Sequence, residues 1–130
     1  MPEHSNADML HAFYACFEHG DYVALVKAFL APSVVWHVAG NNPLAGEFRG
    51  PDAVTDQMLR YAEHSGGTLR VDTSIMATDS HAVAVHRATA SRPGVEYSAH
   101  EIDVFHVAGD RITEFWSFSE DQEATDRIWS

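Results

Sequence analysis

The second half of the chain constrains the fold most strongly, because four long segments rich in Val, Ile, Thr and aromatic residues follow one another there. The segments span residues 68–79, 81–92, 95–107 and 111–119. Short turns separate them, at Asp79-Ser80, Pro93-Gly94 and Gly109-Asp110. Segments of this composition joined by such turns predict antiparallel strands. We therefore expect a meander of four long strands, to which a short strand over residues 33–38 adds a fifth.

The first half of the chain predicts three helices, because apolar residues recur there at helical spacing. The first helix starts at about Ser5 and stops at Gly20, the second follows Asp21 as its cap and ends at Pro32, and the third runs from Pro51 to Gly66-Gly67. The acidic tail predicts a short helix that ends in Trp129. Helices followed by a long meander predict an α+β fold, in which a cone-shaped, curved antiparallel sheet wraps around the amino-terminal helices.

Length and charge limit the organisation and the partners of the chain. The 130 residues predict a single domain over residues 1–130. Eight Lys and Arg against 19 Asp and Glu give a net charge of -11, which argues against nucleic acid or an anionic membrane as a partner. The lone Cys16 excludes an intrachain disulfide. The amino terminus carries no signal-peptide pattern, so we expect a cytoplasmic location.

The Pro93-Gly94 turn fixes the register of its hairpin and so predicts which side chains share a face. A two-residue turn pairs His86 with Glu101, and Ala84 with Asp103, on one face lined with small residues and Phe105. Small residues leave volume while the acids and the histidine supply polar groups, which is typical of a pocket. The inverse assignment stays open, because Val and Ile more often mark a core.

The opposite face of the same strands carries apolar side chains in both strands, at Val83, Val85, Ile102 and Val104. If this face is the outer one, it exposes an apolar surface, which is typical of a protein–protein interface. We therefore expect a homodimer that forms through the outer face of the sheet.

The segment 40–50, GNNPLAGEFRG, is dense in turn residues yet contains Leu44 and Phe48. This combination predicts a loop that folds back over an apolar surface as a lid.

Several short motifs resemble those of a known superfamily. They are GD at 20–21, VVWHVAG at 34–40, GPDAV at 50–54, EIDVFHV at 101–107 and RITEFWSF at 111–118. Together they resemble the nuclear transport factor 2-like superfamily over essentially the whole chain. PLAGEFRG at 43–50 resembles the SnoaL-like group, which includes small polyketide cyclases, and the motif spacing is similar to that of ketosteroid isomerases.

The resemblance to ketosteroid isomerases implies roles for individual residues. Their general base stands three residues before the glycine that closes the first strand, which is His37 here. Their protonated aspartic acid, which donates a hydrogen bond to the developing enolate, corresponds to Asp103 in the pattern I-D-x-F. Their helix-one tyrosine corresponds to Phe13, with Tyr14 beside it. Structural interpretations stay open, namely a hydrogen-bonded histidine at the core edge and a salt-bridged aspartate.

Two further carboxylates are compared with the family. Limonene-type epoxide hydrolases carry an arginine two residues before the strand aspartate, where this chain has Glu101, so their chemistry is disfavoured. Glu101 either orients the imidazole of His86 or forms a simple cross-strand charge pair with it. Asp121 corresponds loosely to the general base of the SnoaL-like cyclases and otherwise belongs to a solvated helix start.

The sequence thus predicts a small cofactor-independent enzyme that acts on an apolar or polycyclic carbonyl compound by proton abstraction and enolate stabilisation, as an isomerase or aldol-type cyclase. The alternative is a non-catalytic small-molecule-binding module of the same fold. Nine histidines show no metal-ligand spacing, so we expect no metal. The expected catalytic residues are His37, Asp103 and Asp121. The expected substrate-binding residues are Phe13, Tyr14, Leu44, Phe48, Met58, His86, Glu101, Phe105, Phe115 and Ser117.

Overall fold

The structure is a computed structural model that describes residues 5–66 and 68–130. Its elements, in chain order, are α1 (Ser5–Glu18), α2 (Tyr22–Phe29), β1 (Leu30–Val38), β2 (Gly46–Arg49), α3 (Pro51–Ser65), β3 (Arg70–Ala77), β4 (His81–Arg92), β5 (Val95–Ala108), β6 (Arg111–Ser119) and α4 (Gln122–Ile128). The α+β class and all four predicted helices are confirmed. Residues 1–4, which belong to the segment searched for a signal pattern, lie outside the described residues. So does Gly67, which belongs to the predicted end of the third helix.

The strands form one open, curved sheet of six strands in the order β2-β1-β6-β5-β4-β3. The sheet is mixed, because β1 pairs with β6 in parallel while all other neighbours are antiparallel. The sequence did not predict β2, and it placed the start of β1 after Pro32. Strand β2 covers β1 only from Val35 onward, so Pro32 lies where the missing N–H interrupts no pairing with that neighbour.

The β4–β5 hairpin has the register that its two-residue turn predicts. Ala84 pairs with Asp103, and His86 pairs with Glu101. Burial alternates along β4, with Ala84 and His86 buried and Val83 and Val85 at 38% and 43% exposed. The alanine-lined face is therefore the inner one, and the inverse assignment is wrong.

Two apolar clusters cover the inner face. The larger one joins α1, α2 and α3 to the sheet and includes Leu10, Phe13, Leu25, Met58 and Phe105. The smaller one lies at the end of the sheet where α4 packs, and its members are Leu44, Ala88, Ala90, Tyr97, Ala99, Ile128 and Trp129. Burial of apolar side chains in these clusters supplies most of the driving force for folding.

Helix α4 is attached to the loop that follows β1. Asp126 Oδ1 accepts hydrogen bonds from Asn41 N at 2.9 Å and from Asn42 Nδ2 at 2.8 Å. Gly40 has a φ of +128°, and a Cβ there would lie 2.6 Å from both Asp126 Oδ1 and Gln122 Nε2. Glycine suits both the positive φ and this close approach, so the residue that closes β1 leaves room for the Asp126 and Gln122 side chains that join α4 to the loop.

Candidate functional site

The polar groups of the inner face stand in two neighbouring rows that cross the sheet. One row runs from Thr73 through His86 and Glu101 to Ser119, and the other places Asp103 beside Ser117. Side chains in a strand alternate between faces, so residues two apart along β5 reach the same face side by side. The sheet register therefore brings Glu101 and Asp103 together with His86.

A cleft opens over these rows, with an empty volume of about 730 Å³ including the part open to solvent. Aromatic and aliphatic side chains form most of its wall, and a few polar groups converge in it, which is the usual make-up of a small-molecule site. The lining residues are Phe13, Tyr14, Phe17, Trp36, Val38, Ala39, Met58, Tyr61, Leu69, Val71, His86, Glu101, Asp103, Phe115, Ser117, Phe118, Ser119, Gln122, Thr125 and Trp129.

Helix α1 provides a hydrogen-bond donor to Asp103. The hydroxyl of Tyr14 donates to Asp103 Oδ2 at 2.5 Å. Neighbouring residues of a helix point about 100° apart, and Phe13 packs into the core instead, with its ring 5.8 Å from that of Phe105. The helix-one hydroxyl that reaches Asp103 therefore belongs to Tyr14, one residue after Phe13, the position to which the sequence comparison assigned the tyrosine.

The environment of Asp103 raises the pKa of its carboxyl group. Burial raises the pKa of Asp103 to about 6, although the nearby His86 and the Tyr14 hydrogen bond both lower it. At neutral pH the carboxyl is then mostly ionised, and Tyr14 donates to it. This arrangement favours Asp103 as an acceptor of protons and differs from the protonated donor that the sequence comparison implies.

A second set of hydrogen bonds holds His86. Its Nε2 lies 3.1 Å from Glu101 Oε1, and the hydroxyl of Tyr97 donates to Glu101 Oε2 at 2.6 Å. Tyr97 in turn lies 2.8 Å from Thr125 Oγ1 of α4. Burial lowers the pKa of His86, but the hydrogen bond to Glu101 and the charges of Asp103 and Glu101 outweigh it, so the pKa is raised overall.

His37 lies outside the cleft, contrary to the role that the sequence comparison implies. Its ring stacks on Trp116 at a centroid distance of 5.2 Å, and its Nε2 lies 2.6 Å from Glu114 Oε2. These side chains occupy the outer face of the sheet, because Trp36, the neighbour of His37, is buried on the inner face. The β1 residues that line the cleft are Trp36 and Val38, and neither has an ionisable group.

Asp121 is a helix cap in the structure. Its carboxylate accepts a hydrogen bond from Ala124 N at 3.1 Å at the start of α4, and its side chain does not line the cleft. The interpretation as a solvated helix start is therefore the one that the geometry supports.

Three of the expected substrate-binding residues pack elsewhere. Leu44 is completely buried in the smaller cluster, Phe48 lies on β2 against the larger one, and Phe105 is completely buried beneath the cleft. The segment expected to form a lid is instead a loop followed by β2. The other seven, namely Phe13, Tyr14, Met58, His86, Glu101, Phe115 and Ser117, line the cleft.

The sequence reasoning missed the contribution of α4 to the cleft. Gln122, Thr125 and Trp129 line it, next to Tyr61 of α3. The rings of Tyr61 and Trp129 meet edge to face at 4.6 Å. The available signal was the spacing of Thr125 and Trp129, which places both on one face of the short carboxyl-terminal helix.

Within the described ranges, 5–66 and 68–130, no three His, Cys, Asp or Glu side chains are grouped as a metal ion would require. In the same part of the chain, no helix has the length and apolar character to cross a membrane.

Comparison with known proteins places the chain. The model of the SnoaL-like domain matches residues 10–115. The chain belongs to the SnoaL-like domain family. The Mycobacterium tuberculosis protein named "Uncharacterized protein Rv0034" is 35% identical to this chain over 132 residues, covering both chains fully.

Solved structures of relatives have the same fold. Bal32a, from a soil-derived mobile gene cassette, superimposes with a TM-score of 0.89 at 28% identity over 96% of each chain. An NTF2-like protein from Burkholderia xenovorans superimposes with a TM-score of 0.74 at 21% identity, over 96% of this chain and 95% of that one. These superpositions confirm the predicted fold.

Proposed function

We propose that this SnoaL-like protein is a cofactor-independent enzyme that binds an apolar carbonyl compound in the cleft and removes a proton next to the carbonyl. The observation that carries the proposal is the Tyr14–Asp103 hydrogen bond at the wall of an otherwise apolar cleft. A carboxylate with a pKa of about 6 is a stronger base than an ordinary aspartate and is still ionised at neutral pH.

The chemistry follows from the position of Asp103. Its carboxylate takes the proton from the carbon beside the carbonyl, and the electron pair of that C–H bond moves toward the carbonyl oxygen, which gives an enolate. Return of the proton to a different carbon is an isomerisation. Attack of the enolate carbon on a second carbonyl of the same molecule, whose oxygen then takes the proton back from Asp103, is an aldol-type cyclisation. The hydrogen bond from Tyr14 holds the carboxylate in a fixed orientation, and a base in a fixed orientation reacts faster.

A homodimer is the second part of the proposal. The outer face exposes Val83, Val85 and Ile102 at 38%, 43% and 43%, in the paired strands β4 and β5. A second copy of the chain that packs on this face covers it in a two-fold symmetric way.

Thermal-shift measurements with a panel of apolar ketones test the ligand class. The ketones are cyclohexanone, β-tetralone and a steroid ketone, each paired with the corresponding alcohol. A ligand that binds only the folded state raises the Tm, and we expect the ketones to raise it more than the alcohols. The ketones that bind are then incubated with the protein in D₂O, and deuterium at the carbon next to the carbonyl is measured by mass spectrometry.

A matched pair of variants makes the exchange experiment specific. Asp103→Asn is expected to reduce the exchange rate by about 10²- to 10⁴-fold, whereas Asp110→Asn, the same change in the exposed turn between β5 and β6, leaves it intact. Binding without any exchange above the rate in buffer would support the non-catalytic module instead. A panel in which no ketone binds would overturn the proposal.

A further inference from the structure

Two buried polar atoms in the wall of the cleft have no hydrogen-bond partner among the described residues. They are Asp103 Oδ1 and His86 Nδ1. Both side chains line the cleft, and the residues are only 5% and 4% exposed. Buried polar atoms in folded proteins nearly always have a partner, so a pair of unpartnered atoms in one cleft indicates positions where a ligand is bound.

The two atoms differ in hydrogen-bonding character. A carboxylate oxygen only accepts, while the Nδ1 of a protonated imidazole donates. Because Nε2 of His86 is engaged by Glu101 at 3.1 Å, Nδ1 is the ring nitrogen left for a ligand. Nδ1 lies 3.7 Å from Asp103 Oδ2, so the acceptor and the donor are adjacent. The cleft wall therefore matches a ligand that has a removable proton next to an oxygen that accepts hydrogen bonds.

We propose that His86 is a second ligand-contacting residue, whose Nδ1–H donates to the carbonyl oxygen of an enolisable ketone while Asp103 Oδ1 faces the neighbouring C–H. This inference rests on the proposed function and narrows it to ligands that enolise. When Asp103 takes the proton, negative charge develops on the carbonyl oxygen, and the imidazolium of His86 stabilises that charge. A donor placed at such an oxygen stabilises the transition state more than the ground state.

Tyr97 is the positioning residue of this arrangement. Its hydroxyl holds Glu101 Oε2 at 2.6 Å and lies 2.8 Å from Thr125 Oγ1, so it connects the His86–Glu101 pair to α4. The groups that face His86 are Glu101 and Asp103 on β5 and Tyr14 on α1. Tyr97 touches none of the unpartnered atoms, and it acts by fixing Glu101 and hence the orientation of the ring.

The test compares two replacements of His86 that differ in which ring nitrogen they mimic. The amide nitrogen of Asn occupies the place of Nδ1, whereas the longer Gln reaches the place of Nε2. With β-tetralone as the probe, His86→Gln is expected to weaken binding about ten- to a hundredfold. His86→Asn is expected to stay within a few-fold of wild type. Binding of β-tetralol serves as the reference and is expected to change little in either variant.

The outcomes separate this inference from the proposed function. Equal binding of β-tetralone by wild type and His86→Gln overturns the role of His86 and leaves the proposed function intact. Absence of ketone binding by wild type overturns the proposed function and, with it, this inference.

Tyr97→Phe tests the positioning role. The ¹⁵N signals of the His86 ring report whether both nitrogens carry a proton, and we expect them to shift away from the imidazolium values in this variant while circular dichroism shows that it stays folded. The rate of deuterium exchange is expected to fall more than the affinity for β-tetralone. Unchanged ring signals and an unchanged rate would overturn the role of Tyr97.

Discussion

The hydroxyl of Tyr14 donates to Asp103 Oδ2 at 2.5 Å, across 89 residues of sequence, and joins α1 to the central strand β5. A hydrogen bond to an ionised carboxylate is stronger than one between neutral groups. This contact links the packing of the amino-terminal helix to the protonation of the residue on which the proposed chemistry depends.

Replacing Tyr14 by Phe tests that link. The ring still fits, but the hydrogen bond that lowers the pKa of Asp103 is lost, so the pKa is expected to rise above about 6. Carbon-13 NMR of the Asp103 carboxyl as a function of pH measures it. Tyr22→Phe on α2 is the control, because Tyr22 is only half-buried and lies apart from the cleft. A midpoint that is the same in both variants and in wild type would contradict the assignment.

Asp103 also makes a pH-dependent contribution to stability. Its pKa of about 6 in the folded protein lies above the ordinary value of 3.8, so the folded state holds the proton more tightly. This contribution is fully present below about pH 4 and is lost as the pH rises through about 6. The Asp103→Asn variant has no such titrating group and does not lose this stability. The free energy of unfolding of the variant minus that of wild type should therefore increase between pH 4 and 7, by at most about 3 kcal/mol. Urea unfolding at a series of pH values measures it, and a constant difference would contradict the shift.

Gly40 tests how α4 is held. Gly40→Ala puts a Cβ 2.6 Å from Asp126 Oδ1 in a backbone conformation of positive φ, and we expect a loss of stability of about 1–3 kcal/mol. Ketone binding should weaken as well, because α4 contributes to the cleft. Gly20→Ala is the matched control, since Gly20 has a φ of +76° but no atom within 4 Å of the added Cβ. If both variants lost the same stability and bound equally well, the contact with α4 would be unimportant.

The dimer prediction concerns the outer face. Wild type should sediment at about twice the mass of the 14.4 kDa chain. Ile102→Glu places a charge on the exposed face without entering the core and should give a folded monomer. Sedimentation velocity at micromolar concentration, with circular dichroism as the check on folding, distinguishes the results. A monomeric wild type would remove the basis for an interface on this face.

Local sequence signals predicted the parts of the fold that depend on neighbouring residues. The Pro93-Gly94 turn alone fixed the pairing of His86 with Glu101 and of Ala84 with Asp103, because a hairpin register propagates from its turn. Alternation along the strands then predicted which residues share a face, and the burial of Ala84 and His86 in the structure decided which face is the inner one.

The rest of the candidate site depends on pairings that are distant in sequence. The parallel pairing of β1 with β6 sets which face His37 occupies, and no turn near β1 specifies it. Likewise, the rotation of α1 about its axis decides whether Phe13 or Tyr14 reaches Asp103. Motif spacing does not distinguish between two neighbouring residues. The place of α4 depends on Asp126 and the loop at 40–42, which are also far apart in the chain.

The pH dependence of ketone deuteration tests the central claim most directly, because it reports the proton transfer itself. For a ketone that binds, the exchange rate at low substrate concentration should rise as the pH increases through about 6, where Asp103 ionises. Asp103→Asn should reduce the rate by about 10²- to 10⁴-fold at pH 7, and Asp110→Asn should reproduce the wild-type profile. A rate that is flat from pH 5 to 8, or one that survives in Asp103→Asn, would contradict the assignment of Asp103 as the base.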